Sequence, residues 1–87
     1  MHEASLMSKL LSRVDAVARA EGAPRVTALS VWLGALSHFS AEHFVEHFGR
    51  ASRDTIAEGA QLRVTVSADP AHPNAQDVLI ESVEVEA

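Results

Sequence analysis

The hydrophobic period along the chain changes four times, and each change marks an element. From Ala4 to Ala20 the apolar positions Leu6, Met7, Leu10, Leu11, Val14, Val17 and Ala18 recur at helical spacing, while Ser8, Lys9, Ser12, Arg13, Asp15 and Arg19 take the other side. This pattern predicts an amphipathic helix. Gly22 is a suitable left-handed stop, and Pro24 opposes continuation. From Val26 to Leu33 the chain alternates, with Leu29, Val31 and Leu33 on one face and Val26, Ala28 and Trp32 on the other. Both faces are substantially apolar, so a strand covered on both sides is expected.

Gly34-Ala35-Leu36-Ser37 breaks that strand, and Ser40 is placed to cap a second helix. Phe39 before the cap and Phe44 inside it have the spacing of a hydrophobic staple, and Phe44, Phe48 and Ala51 are the expected buried stripe. After a turn through Asp54 to Gly59, Leu62, Val64 and Val66 alternate with Gln61, Arg63 and Thr65, as a strand with one wet face would. A last strand is expected from Asp77 to Glu86. Its phase shifts between Val78 and Ile80 on one side and Val83 and Val85 on the other, which predicts a bulge or two-sided burial near Glu81-Ser82.

Between these strands, Ser67 to Gln76 holds Pro70 and Pro73 in a polar stretch that no strand interior tolerates; it reads as a hairpin loop longer than the usual run of about two to five residues. The expected fold is α+β: two helices packed on one face of a small three-stranded sheet, in the order helix-strand-helix-strand-strand. With 87 residues, one compact domain spanning 1–87 is expected.

Composition narrows the chemistry. Cysteine is absent, which excludes disulfides, thiolate metal sites and cysteine nucleophiles, so a metal would need nitrogen or oxygen ligands. The formal charge is −5, with nine of the twelve acids after residue 40, which argues against nucleic acid as a partner. No apolar run is long enough for a membrane span and no signal sequence is visible, so the expected address is cytoplasmic, with no membrane association. Because His2 is bulky, the initiator Met1 is expected to stay.

Histidine carries most of the remaining chemistry. His43 and His47 stand at the i, i+4 spacing that lets two imidazoles share a metal, but they fall on the flank of the buried stripe, where a solvated boundary pair is the simpler expectation. His38 in a turn and His72 in the proline loop read as exposed. His2 differs. The Met1 α-amine, the His2 amide nitrogen and the His2 imidazole close adjacent five- and six-membered chelate rings around an ion that prefers square-planar nitrogen, namely Ni(II) or Cu(II).

The run Met1-His2-Glu3-Ala4-Ser5-Leu6 resembles the opening of the HypA family of hydrogenase nickel-incorporation proteins. Arg25-Val26-Thr27 leading into Leu33-Gly34-Ala35-Leu36-Ser37 is similar to that family's first strand and turn, and Thr55 to Leu62 to its Thr-hydrophobic-Ala-Glu-Gly-Ala-x-Leu segment. Leu79 to Val85 is similar to its last strand. The resemblance implies a nickel metallochaperone, not an enzyme, that works with a hydrogenase maturation GTPase. It would deliver Ni(II) to the large-subunit precursor of a [NiFe] hydrogenase, or in some organisms to urease.

The resemblance also assigns the metal site. Met1, His2 and Glu3 would bind nickel: His2 as the imidazole ligand, the Met1 amine and the His2 and Glu3 amide nitrogens as backbone donors, and the Glu3 side chain to position the site or bind a partner. Two departures stand out. The family's zinc ribbon, with two Cys-x-x-Cys pairs between the last two strands, is replaced by the loop 67–76, so no zinc is expected. An acid that some members carry at the start of the second helix is Ser40 here, with Glu42 close by and His38 as a possible substitute. The alternative reading is an adaptor of the same maturation pathway that binds protein without carrying metal. No catalytic spacing supports an enzyme. Edge pairing, or contact through Trp32 and Leu79, would allow a homodimer.

Overall fold

The structure, a computed structural model, describes residues 3–87, except for the side chain of Glu3. Its elements follow the expected order: α1 (Glu3–Ala20), β1 (Val26–Leu33), α2 (Ala41–Ala51), β2 (Gln61–Val66) and β3 (Val78–Val85). Helix α1 buries Met7, Leu10, Val14 and Ala18 and leaves Val17 exposed. It ends in a Schellman arrangement: Gly22 takes φ 65°, its N–H donates to the Arg19 carbonyl at 3.0 Å, and the Ala23 N–H donates to the Ala18 carbonyl at 2.9 Å.

At the start of α2 the Ser40 hydroxyl accepts the His43 N–H at 3.1 Å, and the Phe39 and Phe44 rings meet edge-on with centroids 5.7 Å apart. Cap and staple therefore form as the spacing predicts. Phe44 and Phe48 are buried, but Ala51, expected in the same stripe, is exposed. Ala51 instead lines an open groove between α2 and α1.

The sheet order is β2-β1-β3, with β1 parallel to β2 and antiparallel to β3. The segment 67–76 is therefore not a hairpin loop, because β2 and β3 never pair. It crosses the end of β1 to reach the opposite edge. The physical reason is that β1 is the most apolar strand and takes the centre, which forces its two successors to opposite sides. The crossing is close: a Cβ on Gly34 would lie 2.2 Å from the Ala75 carbonyl oxygen. Hydrogen bonds from Gly34 N–H to the Asp77 carbonyl (2.9 Å) and from Leu36 N–H to the Ala75 carbonyl (2.7 Å) bind the crossover to the strand's end.

One sheet face packs on the helices. Leu29, Val31 and Leu33 lie beside Leu62 and Val64 of β2 and beside Val83, Ile80 and Val78 of β3. Val66, expected to join this face, is half exposed at the open end of β2. Two register shifts reconcile the remaining phases. One, between Val26 and Ala28, turns Val26 into the core, and the other leaves Glu81 as the extra residue of β3, so that Val78, Ile80, Val83 and Val85 all pack inward. The bulge expected near Glu81-Ser82 is present.

The outer face is not covered by a second layer, contrary to expectation. Ala28 is buried there because it is small and flanked by the Arg63–Glu84 ion pair, which links β2 to β3 across β1. Trp32 sits between Thr65 and Leu79, with the His72 ring against it at a centroid distance of 4.8 Å. His72 thus remains exposed, as expected, while lending a ring to the crossover's anchorage.

Two predictions follow from these contacts. Gly34→Ala should lower unfolding free energy by at least about 2 kcal/mol in urea titration, since the obstacle is backbone, while Gly49→Ala, open on all sides in α2, should raise it by up to about 1 kcal/mol. Ser40→Ala should cost about 1 kcal/mol by the same measurement, whereas Ser40→Asp should stay within about 0.5 kcal/mol of the parent, because either oxygen caps α2.

Candidate functional site

The first turns of α1 meet α2 beside His47 and Arg50. Ala4, Met7, Ser8 and Leu11 of α1 face His47, Arg50 and Ala51 of α2 across an open groove of about 700 Å³. Packing creates this proximity. Met7 and Phe48 are buried in the same core cluster, and the helical period then brings the polar flanks of both helices to the groove.

On α2, His43 and His47 are half-buried, their ring centroids 4.5 Å apart with planes at 72°. Phe39 backs both, at 5.7 Å from His43 and 6.4 Å from His47. Arg50 pairs with Glu46 at 3.2 Å on the exposed side of the helix. The expectation of a boundary pair holds in burial. What spacing could not show is that His47 looks onto the first turns of α1.

Of the residues expected to bind nickel, Met1 and His2 lie outside the described residues, as does the side chain of Glu3. Helix α1 begins at Glu3, and Ala4 already lines the groove. Ser40, at the place of the acid found in some family members, has its hydroxyl committed to the helix cap. Glu42 is exposed, and His38, at φ 68°, sits in the turn ahead of Phe39 and Ser40. Among the described residues no three or more His, Asp or Glu side chains converge as a metal cluster. No described helix is long and apolar enough to cross a membrane.

The segments that carried the family resemblance have structural work to do. The Thr55 hydroxyl donates to the Ser52 carbonyl at 2.6 Å and accepts the Ala57 N–H at 3.1 Å; Ala57 is buried and Gly59 takes φ 78°. The Ile56 carbonyl accepts the Val26 N–H at 2.9 Å, which ties this turn to the start of β1. Gly34 supplies the close approach to the crossover. These motifs build the fold.

Comparison with known proteins bears on the same point. The family model for hydrogenase/urease nickel incorporation, metallochaperone, HypA matches residues 1–72. The hydrogenase maturation factor HypA of Chlorobium limicola is 38% identical over 64 residues, covering 74% of this chain and 55% of that protein. Its namesake from Prosthecochloris aestuarii is 41% identical over 66 residues, covering 76% of this chain and 58% of the relative. The chain thus spans little more than half the length of these curated relatives. The solution structure of the nickel metallochaperone HypA from Helicobacter pylori superposes with a TM-score of 0.82 at 17% identity, covering 100% of this chain and 99% of the other, a likeness of fold. With the match running over residues 1–72, the chain belongs to the HypA family of nickel-incorporation metallochaperones.

Proposed function

We propose that this chain carries Ni(II) as cargo at Met1, His2 and Glu3 and delivers it, with a maturation GTPase, to the large-subunit precursor of a [NiFe] hydrogenase. The observation that carries the reading is that the family match begins at residue 1, so the Met-His-Glu run falls inside it. Chelate chemistry supports it independently: a terminal amine, the next amide nitrogen and the imidazole of residue 2 form fused five- and six-membered rings, which suit a planar nitrogen-preferring ion. Such a site needs only a free chain start. Its donors can leave the metal one at a time, as delivery requires.

In this reading residues 1–87 act as one nickel-binding domain, and the crossover 67–76 stands in place of the family's ribbon. The Gly34, Leu36 and Trp32 contacts that bind it to β1 support this reading. A second reading, an adaptor that docks on the same partners without carrying metal, is favoured by one observation: the 87 residues contain no cysteine.

Calorimetric titration of Ni(II) into untagged protein that begins at Met1 separates the two. The tight first equivalent should disappear in His2→Ala with folding intact, and weaken when one residue is added before Met1. It should be nearly unchanged in the variant carrying both His43→Ala and His47→Ala. Equal heats from the parent and His2→Ala would favour the adaptor.

A further inference from the structure

We propose that the outer edge of β3 takes up an extended segment of a partner protein as an added strand, one whose inward face alternates apolar and acidic residues. In the order β2-β1-β3 that edge has no neighbouring strand. The Gly34 N–H donates to the Asp77 carbonyl, and the register continues with Leu33 opposite Val78, Trp32 opposite Leu79 and Val31 opposite Ile80. Alternation along an antiparallel ladder therefore turns the backbone groups of Leu79 towards β1 and those of Val78 and Ile80 outwards. Among the described residues no other backbone group bonds to them. The bulge at Glu81 ends this template just beyond Ile80.

The side chains of the same two residues point inwards, and with Leu6 and Leu10 of α1 they line a groove of about 470 Å³ between helix and strand. A strand laid along the edge sets its residues opposite Val78 and Ile80 over this groove, because directly paired residues share a face. Backbone template and apolar receptacle thus coincide. Lys9 and Arg13, one turn apart on α1, are exposed at the groove, and among the described residues neither has a carboxylate partner. Asp77, also at the groove, is engaged by the side-chain amide of Asn74 at 2.9 Å. Two cations at that helical spacing repel each other, and an incoming carboxylate relieves the repulsion, so the charge selects an acidic segment. A second copy of the chain fits less well. Pairing Val78 with Ile80 across a two-fold axis sets Asp77 against Glu81 of the other copy at both ends. The inference concerns protein docking and stands apart from the nickel reading.

The test titrates two capped peptides, Thr-Ile-Thr-Glu-Thr-Ile-Thr and Thr-Ile-Thr-Lys-Thr-Ile-Thr, into the full chain without metal while backbone amide signals are followed by NMR. The glutamate peptide should shift the Val78 and Ile80 amides and slow their hydrogen exchange, leave the β2 edge unmoved, and bind about fivefold more tightly than the lysine peptide. In the variant carrying both Lys9→Glu and Arg13→Glu the preference should reverse. Both positions are exposed, and the amide spectrum itself reports that the variant is folded. Equal affinity for the two peptides in the parent, shifts spread over both sheet edges, or no shift at millimolar peptide would overturn the proposal. A dilution-dependent shift of the same amides without peptide would assign the edge to a second copy and overturn it as well.

Discussion

The central position of β1 is the constraint on which the rest of the molecule depends. Leu29, Val31 and Leu33 are at most 1% exposed, and the strand is hydrogen-bonded on both edges, so every other element is placed with respect to it. Helix α2 makes the crossover that lets β2 run parallel to β1. The segment 67–76 has to pass the strand's other end before β3 can return antiparallel. That passage requires a residue without a side chain at Gly34, where the crossover's backbone lies against the strand. Main-chain hydrogen bonds and the Trp32–His72 contact hold the crossover against the end of β1.

The same core sets how the two helices meet. Burial of Met7 and Phe48 in the shared core aligns the first turns of α1 with the histidine flank of α2. The motifs that mark the chain as a HypA protein divide accordingly. Thr55 to Gly59 and Gly34 to Ser37 are turns and close contacts that the fold requires, while the opening Met-His-Glu is the part that the proposed function assigns to metal.

Most of the fold could be read from the sequence because its signals are local. The helix stop at Gly22, the cap at Ser40, the Phe39 staple and the limits of β1 depend on residues within a few positions of one another, and all are found as expected. The misreadings are of another kind. That β2 and β3 never meet, that Ala28 is sheltered beside an ion pair and not under a second layer, and that Ala51 escapes the core are consequences of which elements become neighbours. Periodicity carries no such information. The candidate site divides in the same way. The proposed chelate at Met1 and His2 is argued from chain position alone, whereas the meeting of His47 with Ala4 and Ser8 depends on helix packing that the i, i+4 spacing does not encode.

Nickel K-edge X-ray absorption on the untagged protein loaded with one equivalent of Ni(II) addresses the bound metal most directly. An N-terminal chelate gives a planar four-coordinate edge, a first shell of nitrogen, and the outer-shell scattering of an imidazole. A six-coordinate shell of oxygen, without imidazole scattering, would contradict the assignment of the cargo site to Met1, His2 and Glu3.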